Sequence, residues 1–187
     1  MSTDRTVILN NVRLAFPDLF EAKQFEGAGK FKYGATFLIE PGSENDKNVR
    51  AAIAKAAADK WPKDTDKILR TIEGQNQKFC YLDGNTKEYD GFEGKMALSA
   101  KRDQESGMPK IIDRDMSELT SISGKPYAGC YVNAKVQLWA QDNQWGKGMR
   151  ATLVTVQFVK DGDAFSGSGP ADAEGFESVE EESNDLV

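Results

Sequence analysis

The stretch 127–159 constrains the fold of this 187-residue chain more than any other part of the sequence. From Cys130 onward, apolar residues alternate with polar and aromatic ones, and this period of two is typical of a β-strand with one face in a core. The opposite face carries Tyr131, Lys135 and Trp139. A second strand-like segment follows a polar turn. We therefore predict a long strand pair whose outer face contacts a flat, anionic ligand.

Aromatic and basic side chains also occur together in other segments. Aromatic rings stack on nucleobases, and Lys or Arg side chains neutralise phosphates, so the combination predicts a surface for single-stranded nucleic acid. The predicted contacts on the strand pair and its turn are Tyr131, Lys135, Trp139, Trp145, Lys147 and Arg150. The predicted contacts from earlier in the chain are Phe31, Lys32, Phe92, Lys101 and Arg102. An alternative is that Tyr131 and Trp139 pack under a helix or in a dimer interface.

Short strand-like segments recur about every ten residues and are separated by Gly-rich turns, a pattern typical of a small β-barrel. One helix is predicted where Ser43 provides an N-cap, and it ends before Trp61 and Pro62. The sequence thus predicts a mainly β chain with one inserted helix, an OB-fold-like five-stranded barrel over residues 1–163. Phe16 and Phe20 are predicted to close one end of this barrel.

The charge of the chain is divided unevenly along the sequence. The net charge is −6, but residues 161–187 contain nine acidic side chains and no basic one, which leaves residues 1–160 with a net charge of about +3. Residues 164–187 are rich in Gly, Ser and Glu and are predicted to be a flexible, disordered acidic tail. We expect this tail to compete with nucleic acid for the basic groove.

The absence of histidine restricts the possible chemistry. Hydrolases with an imidazole base and His-ligated metal sites are excluded. The two cysteines, Cys80 and Cys130, are predicted to be half-buried thiols in strands, with a disulfide between them as the alternative. A carboxylate nuclease built on Asp103, Asp113 and Asp115 remains an alternative to a binding protein. We predict no enzymatic activity, no cofactor, no metal and no small-molecule substrate.

Two further absences concern the cellular location. No apolar run approaches the roughly 20 residues that span a bilayer, and the N-terminal segment lacks the pattern of a secretion signal. The sequence therefore predicts a soluble, cytoplasmic protein without a membrane partner.

Several separated motifs resemble the phage and prophage family of OB-fold single-stranded DNA-binding proteins, long catalogued as a domain of unknown function. These motifs are VRLAFPDLF, YGATFLI, YDGFEG, MPKIID and the stretch from Tyr127 to Gly162. The resemblance implies sequence-independent, non-enzymatic binding of single-stranded DNA during phage replication, recombination and repair in the bacterial host, and it implies a homodimer. Annealing of complementary strands is an alternative activity.

The acidic tail is similar in kind to those of bacterial and phage single-strand binders, which end in apolar residues and recruit replication and recombination proteins. The residues that this similarity assigns to partner binding are Phe176, Glu180, Glu181, Glu182, Asp185, Leu186 and Val187. The tail departs from the commonest pattern because its last residue is Val187 instead of Phe.

Overall fold

The computed structural model describes residues 5–24, 29–165 and 175–179. The strands are β1 (Thr6–Gln24), β2 (Phe31–Ile39), β3 (Tyr81–Asp83), β4 (Met96–Asp103), β5 (Lys110–Ile112), β6 (Tyr131–Asn143) and β7 (Gly146–Lys160). Two α-helices, α1 (Glu44–Lys60) and α2 (Thr65–Ile72), lie between β2 and β3. None of the helices in the described part of the chain has the length and apolarity that would let it cross a membrane.

The strands form a closed barrel with two short additions. The sheet order is β3-β4-β2-β1-β6-β7-β5, and a parallel pairing of β4 with β7 at Lys101 and Thr152 joins the two halves. The barrel therefore runs β1-β2-β4-β7-β6 and back to β1, and these five strands have the OB arrangement. The predicted mainly β, OB-like fold is confirmed. The structure differs in having two helices and in the short strands β3 and β5 at the sheet edges.

The core follows the alternation of the long strands. On β6, Val132, Ala134, Val136 and Leu138 are almost fully buried, as the period of two predicts. Burial of such apolar side chains stabilises the fold by about 1.5–3 kcal/mol for each large one. The inner face of the β6–β7 pair is thus the floor of the core, and the outer face remains available for other contacts.

Helix α1 packs on the barrel through one apolar stripe. Val49, Ile53 and Ala56 are buried on that stripe, and the Ser43 side chain accepts a hydrogen bond from the Asp46 backbone N–H at 3.3 Å, as the predicted N-cap requires. The helix contacts β1 and β6, and α2 contacts α1 and β7. The two helices therefore cover part of the barrel, and Trp61 is buried where α1 ends.

A buried carboxylate fixes the start of α1 against β3. Asp46 is 5% exposed, and its carboxylate accepts hydrogen bonds from the Tyr81 hydroxyl at 2.5 Å, the Gly42 backbone N–H at 2.9 Å and Arg50 Nε at 2.9 Å. Burial opposes ionisation of Asp46, but these three donors together hold its pKa below the ordinary value of 3.8. The charge is therefore satisfied inside the fold.

Residues 161–165 form a strap that lies on the outside of the barrel. Arg13 donates hydrogen bonds to the carbonyl oxygens of Gly129 at 3.0 Å and Asp163 at 2.6 Å, and its guanidinium carbon lies 4.3 Å from the centre of the Phe165 ring. The backbones of Gly129 and Gly162 approach so closely that a Cβ on either would clash. Ordered packing thus continues to Phe165. Of the predicted partner-binding residues, Phe176 is exposed, and the other six lie outside the described residues.

Both cysteines are free thiols and are buried. Burial raises the pKa of Cys80 to about 12 and the pKa of Cys130 to about 11. Neither thiol is therefore a reactive nucleophile at neutral pH. The predicted alternative of a disulfide between them is wrong. The predicted half-buried thiols in strands are instead buried, and each lies immediately before a strand, Cys80 before β3 and Cys130 before β6.

Candidate nucleic-acid interface

The outer surface of β2 and β4 is the part of the barrel on which the candidate site is built. Facing residues in this antiparallel pair are Thr36 with Ser99, Gly34 with Lys101, and Lys32 with Asp103. Because side chains on a strand alternate between faces, all six point away from the core. We refer to these six residues as the β2–β4 face. It corresponds to strands 2 and 3 of an OB barrel, the strands on which such folds bind oligonucleotides.

A groove of about 820 Å³ runs between the β2–β4 face and the β6–β7 hairpin. Six of the eleven predicted contact residues line it, together with polar and apolar residues of the neighbouring strands and loops. The six are Lys32, Lys101, Arg102, Trp139, Trp145 and Arg150. The sequence therefore identified six of the aromatic and basic residues at the groove, although they lie in three separate segments of the chain. It did not identify Lys30 and Phe79, which also line the groove.

The aromatic side of the groove comes from the β6–β7 hairpin. Trp139 is 41% exposed and Trp145, in the turn, is 76% exposed. Trp139 faces Arg150 across the strand pair, and Arg150 Nε donates to the Gln141 side-chain oxygen at 3.0 Å. Two accessible indole rings beside a guanidinium can stack on bases and neutralise a phosphate. The predicted alternative, Trp139 packed beneath a helix, is wrong for this residue.

Lys101 lies along the floor of the groove because Gly34 leaves room for it. A Cβ at position 34 would lie only 3.1 Å from Lys101 Cδ, so any larger residue would push the lysine side chain. Burial lowers the pKa of Lys101 from its ordinary value of 10.5; the Asp18 carboxylate opposes this shift, and Lys32 adds to it. A bound phosphate would therefore favour the charged form of Lys101.

Other lysines around the groove pair with carboxylates of the same chain. Lys30 Nζ lies 3.8 Å from Glu105, Lys32 Nζ lies 3.6 Å from Asp103, and Lys147 Nζ lies 3.7 Å from Asp142. Such exposed pairs contribute about 0–1 kcal/mol. Phosphates can therefore replace the carboxylates at small cost.

Arg102 has a structural function that the sequence did not indicate. Its Nε, Nη1 and Nη2 donate to the backbone carbonyls of Gly107, Leu153 and Ser106 at 2.8, 3.3 and 3.0 Å. These bonds fix the loop between β4 and β5 against β7. Arg102 borders the groove, but a phosphate there can use only the N–H groups that remain.

Tyr131 and Lys135 lie on the outer face of β6, but they do not line the groove. Tyr131 is about 26 Å along the strand from Trp139. Its ring lies 4.7 Å from Lys160 Nζ and 5.9 Å from the Arg13 guanidinium, beside the C-terminal strap. The groove thus reaches only the Trp139 end of the outer face of β6. DNA contact by Tyr131 and Lys135 stays a prediction.

The aromatic residues predicted from the first half of the chain separate into two groups. Phe92 is 3% exposed and packs with Leu38 and Ala97, so its predicted stacking on DNA is wrong. Phe31 is 47% exposed, but it alternates with Lys32 along β2 and does not line the groove. Lys147 lies beside Trp145 in the hairpin and does not line the groove itself.

The predicted barrel plug is half right. Phe20 packs against the main core, as expected, whereas the Phe16 side chain is 48% exposed. Phe16 contacts Tyr89 and Phe92 with ring centres 4.9 and 6.0 Å apart.

The sequence did not indicate that Gly34 and Ser99 belong to the candidate site, since nothing in their local patterns distinguishes them from ordinary strand residues.

The carboxylates of the alternative nuclease bond to other side chains. Asp103 pairs with Lys32, Asp113 pairs with Lys125 at 2.9 Å, and Asp115 accepts from both the hydroxyl and the backbone N–H of Ser117. Hydrogen bonds, from Lys125 and Ser117 respectively, lower the pKa of Asp113 and Asp115. Within the described ranges, no group of three or more Asp, Glu, Cys or His side chains is arranged to hold a metal ion.

Known proteins match both the sequence and the fold. The chain is 48% identical over 174 residues to protein p50 of Acyrthosiphon pisum secondary endosymbiont phage 1, covering 91% of this chain and 92% of that protein. The C-terminally truncated single-stranded DNA-binding protein of bacteriophage Enc34 has a similar structure, with a TM-score of 0.61 and 26% identity, over 86% of this chain and 88% of that one.

Two further solved structures share the fold at lower identity. The Enc34 protein in complex with ssDNA matches with a TM-score of 0.71 at 23% identity, covering 86% of this chain and 89% of that chain. The gp2.5 single-stranded DNA-binding protein of bacteriophage T7 matches with a TM-score of 0.58 at 12% identity, over 96% and 99% of the two chains.

The family comparison agrees with these structures. The matching family is described as "Enterobacter phage Enc34, ssDNA-binding protein", and its profile covers residues 5–187. The predicted resemblance is therefore confirmed, and the family and its structural neighbours are binding proteins and not enzymes. This chain belongs to the Enc34 phage ssDNA-binding protein family.

Proposed function

We propose that this chain binds single-stranded DNA in the groove between the β2–β4 face and the β6–β7 hairpin, without reading its sequence. One observation supports this proposal most strongly. Two tryptophans and three basic residues line the same groove: Trp139, Trp145, Lys32, Lys101 and Arg150. Bases would stack on the indole rings, and the basic side chains would neutralise phosphates. This arrangement favours single strands because duplex bases are already stacked on each other.

Stacking must supply much of the binding energy. Residues 1–160 have a net charge of only about +3, and several lysines at the groove already pair with carboxylates. Each stacked base contributes about 1–3 kcal/mol when measured by alanine substitution at such sites. We therefore expect Trp139 and Trp145 to contribute more to the affinity than the net charge does, and we expect binding to persist at moderate salt.

The electrostatic part is tested by neutralising the two lysines of the β2–β4 face. In the double variant Lys32→Gln, Lys101→Gln, loss of two phosphate contacts should make the slope of log affinity against log salt shallower by about 1.4. The measurement is a titration of labelled oligo-dT at several salt concentrations. Lys135→Gln is the matched control, because Lys135 is exposed on the same barrel but outside the groove. A slope shallower by about 0.7 for Lys135→Gln, the value for one lost phosphate contact, would argue against the groove as the site.

The C-terminal tail is proposed to compete with DNA for this groove. The strap carries the chain to Phe165, which packs against the cluster containing Leu38 and Ala97. Leu38 faces Ala97 across β2 and β4. This pair lies four residues, or about 13 Å, along the strands from the pair Gly34 and Lys101. The acidic tail thus starts on the side of the barrel that carries the groove.

Deleting residues from Ser166 onward should raise the affinity for oligo-dT, most strongly at low salt. The deletion removes seven carboxylates and leaves the strap intact. Affinity is measured for the truncated and full chains at low and high salt, where screening removes the difference. A full-length variant with the seven acids changed to Asn or Gln should behave like the truncation. Equal or lower affinity of both variants would contradict competition.

The biological role that we propose is protection of single-stranded phage DNA during replication, recombination and repair in the host cytoplasm. Once DNA occupies the groove, the displaced tail would be available to recruit replication and recombination proteins. We also propose that the protein acts as a homodimer. Sedimentation of the purified protein with and without oligo-dT tests this state, and a monomer under both conditions would contradict it.

A further inference from the structure

Phe16 is turned outward by a β-bulge in β1. Between Ala15, which faces Thr36, and Asp18, which faces Gly34, β1 has one more residue than β2. Phe16 itself has a φ of +48°, a left-handed conformation that is unusual for a bulky residue. Bulges redirect side chains and are frequent beside functional sites, as are residues with strained backbones. The bulge and the unusual backbone conformation therefore expose the aromatic ring of Phe16.

Tyr89 completes an accessible aromatic pair with Phe16. Tyr89 is 52% exposed, and its ring packs edge-on against Phe16 at 4.9 Å and against the buried Phe92 at 5.3 Å. A pocket of about 190 Å³ lies against these rings and is also lined by Ala15 and Phe165. Phe92 fixes the position of both exposed rings from below, so the pair is a supported surface.

The aromatic pair lies beside the groove on the same side of the barrel. Ala15 faces Thr36 across β1 and β2, and Thr36 faces Ser99 across β2 and β4. The next facing set along these strands is Asp18, Gly34 and Lys101, whose lysine lines the groove. The separation along the strands is two residues, or about 7 Å. A strand of DNA leaving the groove over Lys101 therefore meets Phe16 and Tyr89 next.

The charge of the pocket determines which part of the DNA it takes. Glu88 and Asp90 lie at its rim, and their carboxylates disfavour a phosphate there. Carboxylates do accept hydrogen bonds from the N–H groups of bases, including the ring N–H of thymine. We propose that Phe16 and Tyr89 form a second base-binding site, which holds an unstacked base from the same strand while the phosphates pass on the side of Lys101. This inference rests on the proposed binding of single-stranded DNA in the groove.

The test compares the full-length wild type with Tyr89→Ala, with Tyr89→Phe as the aromatic control. Oligo-dT ligands of increasing length are titrated by fluorescence anisotropy. The expected result is that the shortest ligand that binds the wild type binds Tyr89→Ala equally well. Longer ligands should bind Tyr89→Ala at least fivefold more weakly than they bind the wild type, whereas Tyr89→Phe stays within twofold of the wild type. Phe16→Ala should repeat the loss, and thermal unfolding of each variant confirms that the barrel is folded.

Photo-crosslinking of the wild type gives an independent measurement. An oligonucleotide that contains 5-iododeoxyuridine should form adducts with the peptide containing Tyr89 or Phe16, in addition to the peptides containing Trp139 and Trp145. The inference is overturned if Tyr89→Ala binds every length like the wild type and adducts form only with the tryptophans, a result that leaves the groove intact. If Trp139→Ala and Tyr89→Ala both bind like the wild type, the proposed function itself fails.

Discussion

Replacing Trp139 with alanine is expected to weaken the binding of oligo-dT at moderate salt by at least tenfold. The indole ring lies in the groove, 41% exposed, opposite Arg150. Loss of one stacked base contact costs about 1–3 kcal/mol, and about 1.4 kcal/mol corresponds to a factor of ten. The fold should remain intact, because the core side chains of β6 are on the opposite face. A titration of labelled oligo-dT by fluorescence anisotropy measures the change.

Tyr131→Ala is the matched control for Trp139→Ala. Both residues are aromatic and lie on the outer face of β6, but only Trp139 lines the groove. We expect Tyr131→Ala to bind oligo-dT within about twofold of the wild type, since its ring lies beside the C-terminal strap. If the two variants lost affinity equally, the binding surface would extend along β6. If Trp139→Ala kept its affinity, Trp139 would not belong to the site.

Replacing Asp46 with alanine is expected to lower the free energy of unfolding by about 2–4 kcal/mol. The substitution leaves the buried Tyr81 hydroxyl, the Gly42 N–H and Arg50 Nε without their common acceptor. Equilibrium unfolding in urea, followed by circular dichroism, measures the loss. An unchanged midpoint for Asp46→Ala would contradict a structural function of this carboxylate.

The same network makes stability depend on pH in a defined direction. The pKa of Asp46 is lower in the folded chain than its ordinary value of 3.8. Its ionised form therefore stabilises the fold above that value, and the contribution is lost as the pH falls below 3.8 towards the folded pKa. Tyr81→Phe removes one donor and should reduce both the stability and its acid dependence, by less than Asp46→Ala does. If the stability of Asp46→Ala depended on acidic pH as strongly as that of the wild type, Asp46 would not be the source of the dependence.

The sequence predicted most where a local pattern determines the structure. The alternation from Val132 to Leu138 identified the buried face of β6, and Ser43 identified the start of α1, because strand period and helix capping depend on nearby residues. The sequence also identified the aromatic and basic residues as candidate DNA contacts. It did not predict which of them lie in the groove and which lie on other surfaces, because that depends on strand pairing.

Trp139 and Tyr131 illustrate the limit of the pattern. Both follow the alternation on β6, and the hairpin places Arg150 opposite Trp139. The barrel closure, which places β4 beside β7 at Lys101 and Thr152, then brings the basic residues of β2 and β4 to the groove that Trp139 lines. That pairing joins residues about 50 positions apart. Phe16 shows the second limit, since a one-residue bulge reverses the direction of a side chain that the alternation would place inside.

The measurement that most directly tests the account is a binding comparison of a labelled single strand with the same sequence as a duplex, using the full chain across a salt series. Stacking on Trp139 and Trp145 requires unpaired bases and is little screened by salt. We therefore expect that the single strand binds more tightly at every salt concentration, retains affinity at moderate salt and is recovered uncleaved in the presence of Mg²⁺. Equal or tighter binding of the duplex would contradict the account.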